Sequence, residues 1–559
     1  MRRILTNPTI PNHKDQLNMS VGLKLTIFLA VFVGLLALAA CSPAPTPEIV
    51  TRIETVIVER EAEPITIVET VEVTVTVEVE KIIEVEVTPT PLGRLYQGVE
   101  ATLVTAADAP IVDLLRQRAQ SFQELTGAAV TIETAPDLNQ TVLIDEETGQ
   151  NRYAGYVYPG QWLADYAAQD YLADLTDRVQ TDETLDWDDI APIYRDIAAG
   201  YGGRTYAIPL AGDVQLVYYR PDVLEEIGLA PPRTWDDYLE IAGAANELDI
   251  NADGSSDFGS CLAKAEQSYA IFYSMVSPYL QFEGAPQGTF FAPDDLAPLV
   301  DNDGFRRALE LYKETTLYGP PEELNNGLAE TRQLMLDGRC ALTIDSTALG
   351  QLAADPEQSV IADKIAAVVL PGAAEVVDRP TGALVPCDED QENCPFADEE
   401  TNHAPFVPSG GWVGSLNPAA ADQTQNAVFD FLVYVSAPGQ ANAAVAAEPA
   451  LNPYRISQYF NRQPWVEAGL SPEFSANFLS AIEQTLASPN AVLNLRIPSH
   501  QRYQAEGLSP LLTQYLTDQL TTDEVVAALL DQWQAITDAA GRQEQVDAYS
   551  LSLGITGQK

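Results

Sequence analysis

From Ile208 to Tyr219 the chain is apolar and β-branched with no helical spacing, the pattern of a strand buried on both faces. Pro231 and Pro232 then break the chain. Thr234, with Asp237 three residues on, predicts a capped helix whose apolar side is Trp235, Tyr238, Leu239 and Ala242. Nearer the start, a strand-like Ala101 to Ala106 leads into a helix over Val112 to Leu125 that closes at Gly127, and a second strand follows over Ala129 to Thr134. Strand, helix, strand in that order predicts a parallel sheet covered by helices. Thr521 and Glu524 make a capping box for a long amphipathic helix near the C-terminus. A different pattern fills residues 69–87, where Val71, Val73, Val75, Val77 and Val79 alternate with Glu and Thr between the proline-rich Ser42 to Pro47 and Thr88 to Pro91. Period-two alternation is a strand pattern, yet a lone strand gains little and its glutamates discourage stacking. Residues 41–98 therefore read as a low-complexity tether, reaching at most roughly 180 Å if fully extended. The competing reading is strand pairing between neighbouring copies.

The N-terminal pattern sets the compartment. Arg2, Arg3, Lys14 and Lys24 precede an apolar run from Leu25 to Ala40 that ends Leu38-Ala39-Ala40-Cys41. Sixteen residues are short for a membrane span and suit a signal-peptide core. The last four residues match the lipobox of bacterial lipoproteins, which predicts removal of residues 1–40 and a lipid on Cys41 at the outer face of a membrane. An uncleaved anchor helix is the alternative.

Composition narrows the partners. Without residues 1–40 the chain carries 26 basic and 80 acidic residues, a net charge of −54. Such a surface repels nucleic acid and anionic lipid and favours a soluble monomer. Export fits the cysteines too. With Cys41 lipidated, Cys261, Cys340, Cys387 and Cys394 remain, and four cysteines allow three pairings. Pairing Cys387 with Cys394 closes the acidic loop CDEDQENC and leaves Cys261 for Cys340 by elimination. Zinc is the rival use, but the spacings are wrong and only three histidines exist, of which His13 leaves with the signal. The remaining stretch of about 460 residues is too long for one core and suits two lobes.

The order of residues in AIPLAGDVQLVYYRPDVLEEIGLAPPRTWDDYLEIA, with Pro209 leading a strand that ends in Tyr218-Tyr219 and then Pro231 to Trp235, resembles the extracellular solute-binding proteins of sugar-type ABC importers. Further stretches extend the resemblance over roughly residues 100–540: Tyr166 to Thr176 as a helix end; Glu330 to Leu352, with Gly338 ending a helix and Cys340 to Ile344 a strand; Ile365 to Pro371; Gly410-Gly411-Trp412 with Val413 to Asn417; and a helix over Ala427 to Val435. The resemblance implies a bilobal α/β fold of two doubly wound lobes joined by a hinge, with residues 99–212 and 411–450 in lobe I and 213–410 and 451–559 in lobe II. It implies capture of a saccharide in the interlobe cleft, delivery to ABC permease subunits, and no required cofactor. Position by position it nominates Tyr158, Trp162, Asp213, Glu266, Tyr269, Ser346, Trp412 and Arg455 as ligand contacts. Aromatic faces would stack on sugar rings and the polar groups would bond hydroxyls. The acidic stretch 372–409 departs from the pattern.

One local motif stands apart. Asp249, Asn251, Asp253, Ser255 and Asp257, with Gly254 at the sixth position, match the front of a calcium loop, although Ser260 replaces the usual glutamate at the twelfth. Two readings stand, a structural calcium site and an Asx-rich turn without metal. Enzyme signatures are missing: there is no Gly-x-Ser-x-Gly elbow, phosphate-binding loop or dinucleotide fingerprint. A binding protein for another polar solute such as a glycerol-phosphate, a ligand sensor and an extracytoplasmic glycoside hydrolase are the alternative functions.

Overall fold

The computed structural model describes residues 95–265, 268–387 and 393–555. The signal segment 1–40, Cys41, the tether up to residue 94 and Glu266 lie outside the described residues. Among the described residues nine strands build two principal sheets: β1 (Glu100–Ala106), β2 (Ala129–Ala135), β3 (Gly155–Pro159), β4 (Ile208–Ala211), β5 (Gln215–Tyr219), β6 (Phe258–Cys261), β7 (Cys340–Ser346), β8 (Ala366–Val368) and β9 (Trp412–Leu416). The first sheet runs β2-β1-β3-β9-β4 and the second β8-β5-β7-β6. β1 is parallel to β2 and β3, and β9 runs antiparallel between β3 and β4.

Local chemistry explains the elements. The helix Val112–Thr126 connects β1 to β2 and stops at Gly127, which takes a left-handed φ of 84° and donates its N–H to Gln123. Thr234 and Asp237 form the capping box that starts Trp235–Ala245, and Thr521 with Glu524 does the same for Thr522–Ala540. Gly338, at φ 74°, separates the helix Leu328–Leu336 from β7. The helical stretch at Tyr166 is shorter than its sequence pattern, since Leu163–Ala167 ends at Ala168.

Both faces of each sheet are covered. In β1, Leu103 packs with Leu115, Phe122 and Leu432 on one side, while Val104 packs with Tyr156, Tyr158 and Tyr166 on the other. The second sheet buries Val217 and Leu342 against Trp235, Phe272, Phe305 and Trp533. At its edge, Asn477 on the helix Pro472–Leu486 accepts from Ala367 N–H at 2.7 Å and donates to its carbonyl at 2.9 Å, which satisfies the open side of β8. Disulfides join Cys261 to Cys340 across neighbouring strands and Cys387 to Cys394 in the acidic insertion. No described helix is long and apolar enough to cross a membrane.

The apolar run 208–219 is two strands, not one. β4 lies in the first sheet and β5 in the second. Residues 212–214 leave the ladder because other partners take their backbone: Gly212 N–H bonds to Asn452 O at 2.8 Å, and the Tyr194 hydroxyl both donates to Asp213 O and accepts from Asp213 N–H at 2.8 Å.

Candidate functional site

Three chain segments pass between the sheets and meet side by side: Gly212–Val214, residues 408–411 ahead of β9, and Leu451–Pro453. They touch backbone to backbone. A Cβ on Gly212 would sit 2.0 Å from Pro453 O, and one on Gly411, which has φ 74°, would sit 2.4 Å from Ala211 O. Only glycine fits such an approach. Gly160 N–H bonds to Gly411 O at 2.8 Å, Gln161 N–H to Ser409 O at 2.9 Å, and the Thr347 hydroxyl to Asn452 Oδ1 at 2.7 Å. Helix starts of both lobes are thereby tied to the crossings.

Asp213 sits at this junction, half-buried, with one carboxylate oxygen accepting from Ser409 N–H and from its hydroxyl, each at 2.6 Å. Burial pushes the carboxyl above its usual range and the Ser409 donations pull it back. Tyr269 is half-buried, and burial together with the Asp213 charge pushes its phenol up to about 12, so it remains a donor at neutral pH. Trp412 is cross-strand from Pro159 and Ala211 at the crossing, also half-buried. Trp162 packs against the cluster of Tyr156, Tyr158 and Tyr166, and its indole Nε1 is buried without a partner among the described residues. The structure thus gathers Trp162, Asp213, Tyr269 and Trp412 around the crossings.

Other nominated residues serve the packing. Tyr158 is 0% exposed, its hydroxyl 2.7 Å from the Ser415 hydroxyl and its ring edge-on to Tyr166, so it is a core residue and not a ligand contact. Arg455 is likewise 0% exposed and is corrected to a structural clamp. It donates to the carbonyls of Leu185, Asp186 and Ser436 and pairs with Asp189 at 3.2 Å. Ser346 is the N-cap of the helix Thr347–Ala353 and also bonds to Asp345.

The expected calcium set does not assemble. Asp249, Asn251 and Asp253 accept from backbone N–H groups of residues 253–255 inside their own turn. Asp257 is buried, paired with Arg339 at 2.9 Å and capping Ile250 N–H, and Ser260 is bonded to the Tyr238 hydroxyl. Ser255 bonds to Asp253 through its N–H and its side chain, and among the described residues no three His, Cys, Asp or Glu side chains converge. Ninth and twelfth positions turned into lobe packing leave an Asx-rich turn.

A row of contacts between the lobes escaped the sequence reading. Asn494 Nδ2 donates to Gln161 Oε1 at 2.7 Å, and Gln504 Nε2 donates to Asn494 Oδ1 at 2.6 Å. Ser499 N–H and the His500 ring bond to Asp165 at 3.0 and 3.1 Å. Buried Arg496 reaches the carbonyls of Ile197 at 2.5 Å, Gly200 at 3.3 Å, and Ser552. Burial lowers its guanidinium to about 10. A cavity of about 40 Å³ opens between Ile197 and the wall formed by Gln281, Thr289, Phe290, Asn494 and Arg496.

Residues 117–453 match the family described as bacterial extracellular solute-binding protein. The chain belongs to that family. Its members are binding proteins and not enzymes. A mannitol-binding protein of Pseudomonas aeruginosa is 28% identical over 198 residues, 34% of this chain and 42% of that relative, so the chain matches less than half the relative's length. A ribitol-bound solute-binding protein of Agrobacterium radiobacter superimposes with a TM-score of 0.60 at 19% identity, covering 79% of this chain and 99% of its own. A maltose-bound protein of T. maritima gives 0.58 at 17% identity, covering 78% and 100%. These likenesses fix the bilobal fold, and in that fold the crossings described above are the hinge of this solute-binding protein.

The hinge carries a pH-dependent expectation. A carboxyl whose folded pKa is raised binds its proton more tightly folded than unfolded, so its contribution to stability is present at low pH and lost as pH rises through the folded value. Ser409→Ala removes one donation that holds the Asp213 pKa down. The variant is expected to lose about 1.5 kcal/mol at neutral pH, with the deficit narrowing as pH falls into the carboxylate range. Urea melts at several pH values check this, and a pH-independent deficit would contradict it.

Proposed function

We propose that this protein is a lipid-anchored extracytoplasmic receptor that closes its lobes on a neutral sugar or polyol and presents the closed form to an ABC permease. The observation that carries the reading is the polar hinge site. Asp213 and Tyr269 supply an acceptor and a donor for hydroxyls, and Trp412 stands beside glycines that let a ligand approach the backbone. The mannitol, ribitol and maltose bound by the similar proteins support the same solute class. Anchoring rests on Leu38-Ala39-Ala40-Cys41, with residues 41–98 as the spacer and lobe boundaries near 212 and 411.

The test is a thermal-unfolding series on the purified protein with mannitol, ribitol, maltose, gluconate and glycerol 3-phosphate. A ligand at a hundred times its Kd adds about 2.7 kcal/mol to stability and raises the midpoint. A rise with neutral polyols or sugars is expected; a rise confined to the anions, or none at all, counts against the reading. In the same strain, Cys41→Ala is expected to release the protein from the membrane fraction, and retention would refute the lipid anchor.

A further inference from the structure

Resting on that reading, we infer that Gln161, Asn494 and Gln504 determine specificity, and that they select an uncharged hydroxymethyl end of the solute over an anionic one. The three amides form a row from lobe to lobe beside the hinge. Gln161 is fixed on the lobe I side by its own N–H on Ser409 O, and Ser409 is in turn held by Asp213. Asn494 is fixed on the other side, its Oδ1 taken by Leu495 N–H at 2.8 Å and Gln504 Nε2 at 2.6 Å, so its Nδ2 must face Gln161.

This row leaves a defined set of unused groups. Gln161 Nε2 has no partner among the described residues, the neighbouring Trp162 Nε1 is a buried donor with none, and Asp213 Oδ1 is an acceptor with none while Oδ2 holds Ser409. A hydroxyl both donates and accepts, so it can use the free donor of Gln161 and the free acceptor of Asp213, two residues that Ser409 links. An anionic group matches only the donors and meets the Asp213 charge. Arg496, beside Asn494 in the cavity wall, is 3% exposed and its guanidinium is spent on the carbonyls of residues 197, 200 and 552. Asn494 is also part of the wall of the cavity of about 40 Å³, which has room for water-sized groups such as hydroxyls. Entry of the solute exchanges the Gln161–Asn494 bond for bonds to its hydroxyls.

Isothermal titration of the intact protein with mannitol, maltose, gluconate and glycerol 3-phosphate tests this, using wild type, Gln161→Ala, Gln161→Glu and Asn494→Ala. Gln161 is half-exposed, so its variants report even if Asn494→Ala fails to fold. The expected result is mannitol binding by wild type, preferred over gluconate, and a loss of about tenfold to a hundredfold in both alanine variants with a smaller binding enthalpy. Gln161→Glu keeps the acceptor and loses the donor, and is expected to fall with them. If the alanine variants bind as tightly as wild type or tighter, the amides only hold empty lobes together and the inference is overturned. Tighter wild-type binding of gluconate or glycerol phosphate than of mannitol overturns the selectivity. A wild type that binds none of the four instead refutes the solute class proposed above, a failure distinct from the other two.

Discussion

Arg455→Ala is expected to destabilise the protein by about 3 kcal/mol, because it strips a largely buried ion pair of its fully buried partner. The guanidinium holds together pieces that are far apart in sequence. Its Nε donates to Ser436 O at 2.7 Å, one Nη to Leu185 O at 2.7 Å, and the other to Asp186 O and Asp189 at 3.1 and 3.2 Å. Removing it leaves the Asp189 carboxylate, 13% exposed, supported only by the Ser457 N–H and hydroxyl, leaves Leu185 O without its donor, and leaves Asp186 O and Ser436 O to the Asp189 N–H and the Tyr454 hydroxyl alone. Lysine restores a charge but not a planar fork, so Arg455→Lys should recover only part of the loss. The damage reaches the hinge, since Arg455 anchors the chain just beyond Asn452, which pairs with Gly212 at the first crossing. Denaturant melts of wild type and both variants decide the matter. A midpoint for the alanine variant indistinguishable from wild type would show that the clamp is dispensable.

Arg455 also illustrates where the sequence stops being legible. Among its partners Ser436 is near in sequence, but Leu185, Asp186 and Asp189 lie roughly 270 residues away in a stretch with no pattern that marks it as a partner. Tyr158 was misleading for a related reason: β3 is buried on both faces, so there is no alternation to tell an inward aromatic from one facing a ligand. The calcium motif failed through Arg339, which is 82 residues from Asp257 in sequence and claims that carboxylate. Gln161 and Asn494 are 333 residues apart, and an isolated amide carries no sequence signal at all. What was readable had local chemistry behind it. Gly127 and Gly338 stop helices because they take positive φ, the Thr-x-x-Asp and Thr-x-x-Glu boxes start them, and the glycines beside Trp412 mark a close backbone approach. The split of 208–219 between two sheets lies between these cases. Composition alone shows one apolar run, and the crossing is visible only in the ordered likeness to a two-lobed family.

The two disulfides are expected to contribute unequally, and the larger share belongs to Cys261–Cys340. Its cysteines are 79 residues apart in sequence, against 7 for Cys387–Cys394. In the chain-entropy account a cross-link stabilises by restricting the unfolded chain, and the restriction grows with the logarithm of the loop. It amounts to about 4 kcal/mol for the long loop and about 2 kcal/mol for the short one. Packing points the same way. Cys261 and Cys340 are buried on the neighbouring strands β6 and β7 within the extended core, whereas Cys387 and Cys394 belong to a small satellite cluster with Phe282, Val376 and Ala397. Replacing each pair with alanines and comparing urea midpoints under oxidising conditions separates the two contributions. The Cys261→Ala, Cys340→Ala double variant should lose about twice as much stability as its counterpart, and dithiothreitol should lower the wild type to near the sum of both. Equal losses, or a greater loss from the short loop, would mean that local packing in the acidic insertion outweighs loop entropy. The long bridge closes the strands that follow the hinge in lobe II, so its removal should also weaken solute binding. The short bridge, which belongs to the separate satellite cluster, should leave binding unchanged.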